Sequence, residues 1–288
     1  MIHEGQNLSA SKGSDEREQE FVSTLFDRSS TFWAEIYRQK DLFAIIHQQR
    51  QIVALKFVND LALPKTTKIL EIGCGPGFVT VTLAKKGFTV EALDSAPSMI
   101  KATREHAKQT GVDERIHASI GDVHDLAFQD QSFGLVVALG VTPWLYNLNK
   151  ALLEVTRVLT NGGYVVLSAD NRYRLNHLLD PLLSPVFEST RKWVIHELQS
   201  SSLNEPPNFG CPHMYSIKRF DAALHEANLI NIKNTSLGFG PFTFLRHKVF
   251  PSRIEVKIHQ RLQEYADKGF PILRSTGAQY IVLARKKR

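Results

Sequence analysis

The chain predicts an α/β fold, a mostly parallel sheet with helices on both of its faces. Three observations predict it. Short apolar runs alternate with helical stretches from residue 65 to residue 170, the rhythm of strand-helix-strand units. The first run, Ile69 to Ile72, leads through three alternating glycines, Gly73, Gly75 and Gly77, into a helix starting at Phe78. Acids stand near the ends of the first three strands, as Glu71, Asp94 and Asp122.

Residues 1–18 are polar and read as a disordered tail. Residues 19–64 carry helical periodicity with a break at Asp27 to Ser30, and Pro64 closes them. The second strand is Phe88 to Leu93, and a helix over Pro97 to Thr110 follows with Ser95 as its cap. Arg115 to Ile120 and Phe133 to Leu139 are the third and fourth strands; Leu148 to Leu159 is a helix. Asn161-Gly162-Gly163 turns into a fifth strand, Tyr164 to Ala169. The rhythm then stops. Residues 171–215 are too long and proline-rich for a plain loop and read as a cap inserted before the sixth strand. A helix over Ile217 to Ala227, with Ser216 as cap, leads to that strand, Leu229 to Leu237. A second insertion fills 238–278, and Gln279 to Ala284 is the seventh strand. The layout is therefore a helical segment (19–64), a core (65–170), a cap (171–215) and the C-terminal part of the core (216–288).

A strand, a glycine turn and a helix N-terminus together form a nucleotide-binding corner. Its pattern is not the dinucleotide fingerprint, because Phe78 occupies the third glycine position, and no Gly-Lys-Ser/Thr follows as in a P-loop. Glu71 beside the loop would repel a pyrophosphate and suits a ligand with a cationic end.

The ordered stretch Glu71-x-Gly73-x-Gly75-x-Gly77 resembles motif I of the class I S-adenosylmethionine-dependent methyltransferases. Glu154-x-x-Arg157-x-Leu159-x-x-Gly162-Gly163 continues the likeness, which is strong over 65–170 and absent from the two insertions. It implies a Rossmann-like, seven-stranded sheet and S-adenosylmethionine as cofactor. It further implies that Cys74 lies in the cofactor loop, that Asp94 accepts the ribose hydroxyls, and that Ser95 and Met99 follow in the adenine-side turn. Asp122 and Val123 would meet the adenine, and Leu139 would lie near the methyl group. The resemblance makes 19–64 a lid, where Trp33 and Tyr37, one turn apart, would face the sulfonium; plain core packing accounts for them equally. Where the family usually has Phe-Asp on the fourth strand, this chain has Phe133-Gly134.

Methyl transfer needs a base only if the acceptor must lose a proton. His213 and Tyr215, just before the helix at 217, are the candidates. Trp144, Tyr146 and His177 are expected to meet the acceptor, with Phe242 and His247 from the second insertion. Arg246, Lys248 and Arg253 would rim an apolar pocket there.

The net charge of +6 favours an anionic partner by long-range attraction, but no basic stripe with interleaved aromatics marks a nucleic-acid surface. Two cysteines give no disulfide framework, and a cytoplasmic setting is expected. No spanning helix and no metal-ligand spacing is visible, so neither a membrane nor a metal is expected. The expectation is a methyltransferase acting on a small molecule of specialised or cell-envelope metabolism. A methyltransferase of RNA or protein, and a cofactor-binding protein without catalysis, stay open. The oligomeric state is not written in the sequence.

Overall fold

The computed structural model describes residues 3–191, 193 and 212–287. The later part of the expected cap, including most of its second helical piece, lies outside the described residues. Strands β1 (Lys68–Ile72), β2 (Thr89–Asp94), β3 (Ile116–Ile120), β4 (Phe133–Ala138) and β5 (Leu159–Asp170) pair in parallel. After them come β6 (Leu229–Leu237), a small hairpin of β7 (Thr243–Phe244) and β8 (His247–Lys248), and β9 (Gln279–Lys286). The main sheet has seven strands in the order β3-β2-β1-β4-β5-β9-β6. The last strand in sequence thus inserts between β5 and β6, antiparallel to both. That placement explains its continuous apolar run, since Tyr280 to Ala284 are buried on both faces.

Helices α1 (His3–Arg28), α2 (Ser30–Glu35) and α3 (Leu42–Asp60) precede the sheet. The first begins at His3, so the stretch read as a disordered tail to residue 18 is largely helical. Its C-terminal end is tied down, because Asp27 Oδ1 accepts the Ser98 amide at 2.9 Å. The break foreseen at Asp27 to Ser30 falls at Ser29, between α1 and α2. Asp41 caps α3, accepting the Ala44 amide at 2.9 Å.

Helices α4 (Phe78–Lys85), α5 (Pro97–Gln109) and α6 (Leu148–Val158) alternate with the parallel strands. The cap carries α7 (Leu175–Leu178), and α8 (Ile217–Glu226) follows it. The second insertion adds α9 (Ser252–Asp267) and α10 (Pro271–Thr276). Ser216 caps α8 as expected, through the Arg219 amide at 3.2 Å. Ser95 does not cap α5. The N-cap is Ala96, which has no capping side chain; the first-turn amide of Ser98 is instead accepted by Asp27 Oδ1 of α1 at 2.9 Å, while Asp94 closes the preceding turn on the Ala96 amide at 3.0 Å.

Two cores cover the two sheet faces. Phe220, Leu224 and Leu152 pack one face, and Leu42, Phe57 and Leu83 pack the other. The expected turn at 161–163 falls within the span of β5 as a bulge. The register jumps from Phe133↔Leu159 to Leu135↔Tyr164, with Gly162 at φ +74°. Gly134 sits at that irregularity. A Cβ there would lie 2.7 Å from Thr67 Cγ2, so the aspartate usual in the family has no room. Gly134→Ala should therefore cost about 1–3 kcal/mol in urea unfolding. Adding Thr67→Ser, which removes the offending methyl, should recover most of that loss.

Candidate active site

The sheet carries a cavity of about 540 Å³ at the C-terminal ends of its parallel strands, roofed by α1 to α3 and the cap. Its floor follows from the backbone. Gly73, Gly75 and Gly77 all have positive φ, at 67°, 53° and 79°, where a side chain is strained. At Gly73 space forbids one as well, since a Cβ would lie 2.4 Å from Val141 Cγ2. The Gly73 and Cys74 amides both donate to Leu93 O, at 2.7 and 3.0 Å, which folds the loop over the end of β2. Gly77 lies off the cavity wall, where it lets α4 pack against Thr103.

Three carboxylates surround this floor. Glu71 is 4% exposed and accepts a hydrogen bond from Thr80 Oγ1. Burial, with Asp94 nearby, pushes its pKa up to about 8. Asp94 is also raised, by burial, although Oδ2 accepts the Gly75 amide at 2.9 Å. Among the described residues no lysine, arginine or histidine forms an ion pair with Glu71 or Asp94. Asp122 differs. Burial would raise it, but His124 donates to Oδ1 from both its amide (2.9 Å) and Nδ1 (2.6 Å) and holds Asp122 below its ordinary value. The His124 Nε2 accepts the Asn147 amide at 3.4 Å, which fixes the tautomer.

The opposite wall comes from the N-terminal helices. Trp33 and Tyr37 both line the cavity, with Phe26 packed edge-on to Trp144 at 5.2 Å. Tyr37 tilts against Phe78 with ring centroids 4.2 Å apart. Buried His47 and Arg50 on α3 reach the same space. Burial, then the Arg50 charge, lowers His47 to about 3, so it is neutral. The Arg50 guanidinium packs over Gly140, where a Cβ would lie 2.6 Å from NH1. It has no acidic partner among the described residues. Both charges act on Tyr37: burial raises its hydroxyl, Arg50 opposes that, and Glu71 adds to it.

Cys74, Ser95, Met99, Val123, Leu139, Trp144 and His177 are on the wall, as anticipated. Burial raises the Cys74 thiol well above its usual range, which suits packing rather than nucleophilic use. Several anticipated contacts are elsewhere. His213 has a half-exposed side chain, Nε2 lying 3.5 Å from Glu18 Oε1, and does not line the cavity. Tyr215 donates weakly to Thr142 O at 3.5 Å and packs on the core. Tyr146 stacks on His124 at 3.6 Å. Phe242 is buried with Phe239 and Ala266 in a separate small core, and His247 is exposed on the hairpin. Among the described residues no group of three or more His, Cys, Asp or Glu could hold a metal ion, and no helix is long and apolar enough to cross a membrane.

Sequence reasoning missed His47, Arg50, His124, Asn176 and Gln279. The only hint at His47 and Arg50 was a histidine and an arginine spaced by three on a helix of mixed apolar and polar residues; for His124 it was Asp-x-His after a strand.

The Glu71 shift predicts a pH effect in the ligand-free protein. Its pKa is about 8 in the folded protein against an ordinary value of 4.5. The folded state therefore holds the extra proton, and stability falls as pH rises from about 4.5 through 8. Glu71→Gln should remove that component. Thermal midpoints of variant and wild type should converge at pH 4.5 and separate by pH 9, the variant being the more stable.

Comparison with known proteins agrees with this geometry. A family described as "Methyltransferase domain" matches residues 70–167. A ubiquinone biosynthesis O-methyltransferase of Rickettsia conorii is 28% identical over 124 residues, 43% of this chain and 41% of that protein. A malonyl-[acyl-carrier protein] O-methyltransferase of Erwinia billingiae is 34% identical over 122 residues, 41% of this chain and 46% of the relative. The chain thus spans about half the length of the curated relatives it matches. Among solved structures, the [4+2]-cyclase SpnF superposes with a TM-score of 0.59 at 14% identity, covering 92% of this chain and 95% of that one. That likeness concerns the fold alone. The matched segment, residues 70–167, is similar to a methyltransferase domain and carries the glycine cradle and the acids at three successive strand ends, within a seven-stranded sheet of the order described above; together these findings support a class I S-adenosylmethionine-dependent methyltransferase.

Proposed function

We propose that the protein transfers the methyl group of S-adenosylmethionine to a small-molecule acceptor by in-line displacement. One observation carries the reading. Among the described residues, a buried acid without a cation, Glu71, and a buried arginine without an anion, Arg50, line one cavity, and both act on Tyr37. Unpaired buried charges are costly, and a zwitterionic amino-acid end would satisfy both. The remaining acids suit a nucleoside, with Asp94 for ribose hydroxyls and Asp122 for an exocyclic amine. Met99 and Val123 add apolar wall.

The cofactor, when bound, supplies a methyl group on a sulfonium, already a good leaving group. The chain's own work is then positioning and exclusion of water. Trp33, Phe26 and Trp144 form an aromatic wall suited to a cation, and α1 closes over it through the Asp27 contact to α5. A cavity roofed on both sides supports a small acceptor over an RNA or protein surface. His213, half exposed and paired with Glu18, is not favoured as the base.

Two experiments test this reading. In calorimetry, Asp94→Ala and Arg50→Met should each weaken S-adenosylhomocysteine binding by about 1.5–3 kcal/mol. Arg50→Met should leave 5′-methylthioadenosine, which lacks the amino-acid end, unaffected. No binding of S-adenosylhomocysteine to the wild type would end the enzyme reading. Methyl label from S-adenosylmethionine should enter a small-molecule extract; RNA-dependent incorporation would point to the other acceptor class. His213→Ala should retain turnover.

A further inference from the structure

The half of the cavity farthest from the glycine loop has features that the cofactor does not explain. Asp170 ends β5 and Gln279 begins β9, and the two are paired across the sheet. Asn176 lies just beyond, on α7. The sheet order puts β9 three strands from β1, on the side away from β2 and β3. At about 4.8 Å per strand the end of β9 is roughly 14 Å from that of β1. A nucleoside held by Asp94 and Asp122 lies in the other direction.

Asn176 and Gln279 both line the cavity and are only 6% and 7% exposed. Among the described residues, Asn176 Oδ1 and Gln279 Oε1 are fully buried without a hydrogen-bond partner. Neither amide nitrogen has a protein partner among the described hydrogen bonds, and the nitrogens, unlike the closed-off oxygens, retain surface that a ligand can meet. Buried polar groups are nearly always paired, and an unpaired one costs about 1–3 kcal/mol. Two such amides on one wall point to a ligand that completes them.

The charge around them narrows its class. Arg174 and Asp170 face the same space and pair at 3.2 Å, so their charges cancel. His177 is neutral, since burial and then Arg174 lower it to about 4. The Thr243 hydroxyl is already donated to Asp180 at 2.6 Å. The rest of this half is apolar, built by Pro143, Leu183 and Pro241.

We propose that Asn176 and Gln279 are the recognition groups of the acceptor subsite, which takes an uncharged, hydroxyl-bearing molecule with an apolar or aromatic body. This rests on the methyltransferase reading for the word acceptor; the subsite itself rests on the two unpaired amides. Its hydroxyl oxygens accept from the two amide nitrogens, and its apolar body fills the space between the cap and β9. A carboxylate or phosphate finds no uncancelled cation here once Arg50 is engaged by the cofactor.

The test uses two near-isosteric variants, Asn176→Leu and Gln279→Met, with two readouts. Without ligand, each removes an unsatisfied polar group, so the thermal midpoint should hold or rise; a fall of several degrees in both would show that the amides support the fold and would overturn the proposal. The complex with S-adenosylhomocysteine is then titrated with catechol at up to millimolar concentration. Wild type should bind it, and each variant should bind at least fivefold more weakly while S-adenosylhomocysteine affinity stays within twofold. Equal catechol binding by the variants, no binding by the wild type, or tighter binding of 3,4-dihydroxybenzoate than of catechol would each overturn it. Failure of S-adenosylhomocysteine to bind the wild type would instead sink the enzyme reading, and the thermal readout would still judge the amides.

Discussion

A carboxylate held out of water must be matched by a cation or take up a proton. Glu71 is in that position because β1 is a central strand, flanked by β2 and β4 and covered by α4. Much of the nucleotide end can be read as a response to this constraint. The glycine loop keeps side chains away from the space in front of the acid. The N-terminal helices close that space and bring Arg50 opposite. Asp94, one strand over, adds a second, half-buried carboxylate and so deepens the preference for a cationic ligand.

The third acid is held in a different way. Asp122 sits at the head of a loop that Arg157 clamps through all five of its donors. Its guanidinium reaches both Glu154 oxygens at 2.8 Å, Asp130 Oδ1 at 2.8 Å, and the carbonyls of Leu126 and Phe128 at 2.7 Å. Glu154 also accepts the Leu126 amide at 2.9 Å. The Glu-x-x-Arg signature therefore works at a distance from the ligand: it ties α6 to the loop whose first residues are Asp122 and His124. A bidentate pair gives this tie a fixed geometry that a single point charge would not.

The strand ends and the glycine loop were legible because they are local. A strand, three glycines and a helix lie within a dozen residues, and their spacing alone sets the turn. His47 and Arg50 were not legible, because they stand among Gln48, Gln49, Gln51 and Lys56 on a helix of mixed character that does not say which side faces a cavity. His213 illustrates the reverse error. It lies next to Pro212, which is on the wall, yet its side chain turns outward to Glu18 of α1, in the polar part of that helix that the sequence presents as a tail.

By itself the sequence determined the α/β class, the seven strands and the nucleotide end of the site, since alternating apolar runs and closely spaced motifs are properties of short segments. Only the tertiary structure decided the other end. The cap and β9 meet because Asn171 donates to the carbonyls of Ser275 and Gly277, both at 2.9 Å and more than a hundred residues away. That contact, and the insertion of the last strand beside β5, puts Asn176 and Gln279 on one wall. No periodicity encodes such a pairing, because it arises from the order in which strands join the sheet and not from the order in which they are made.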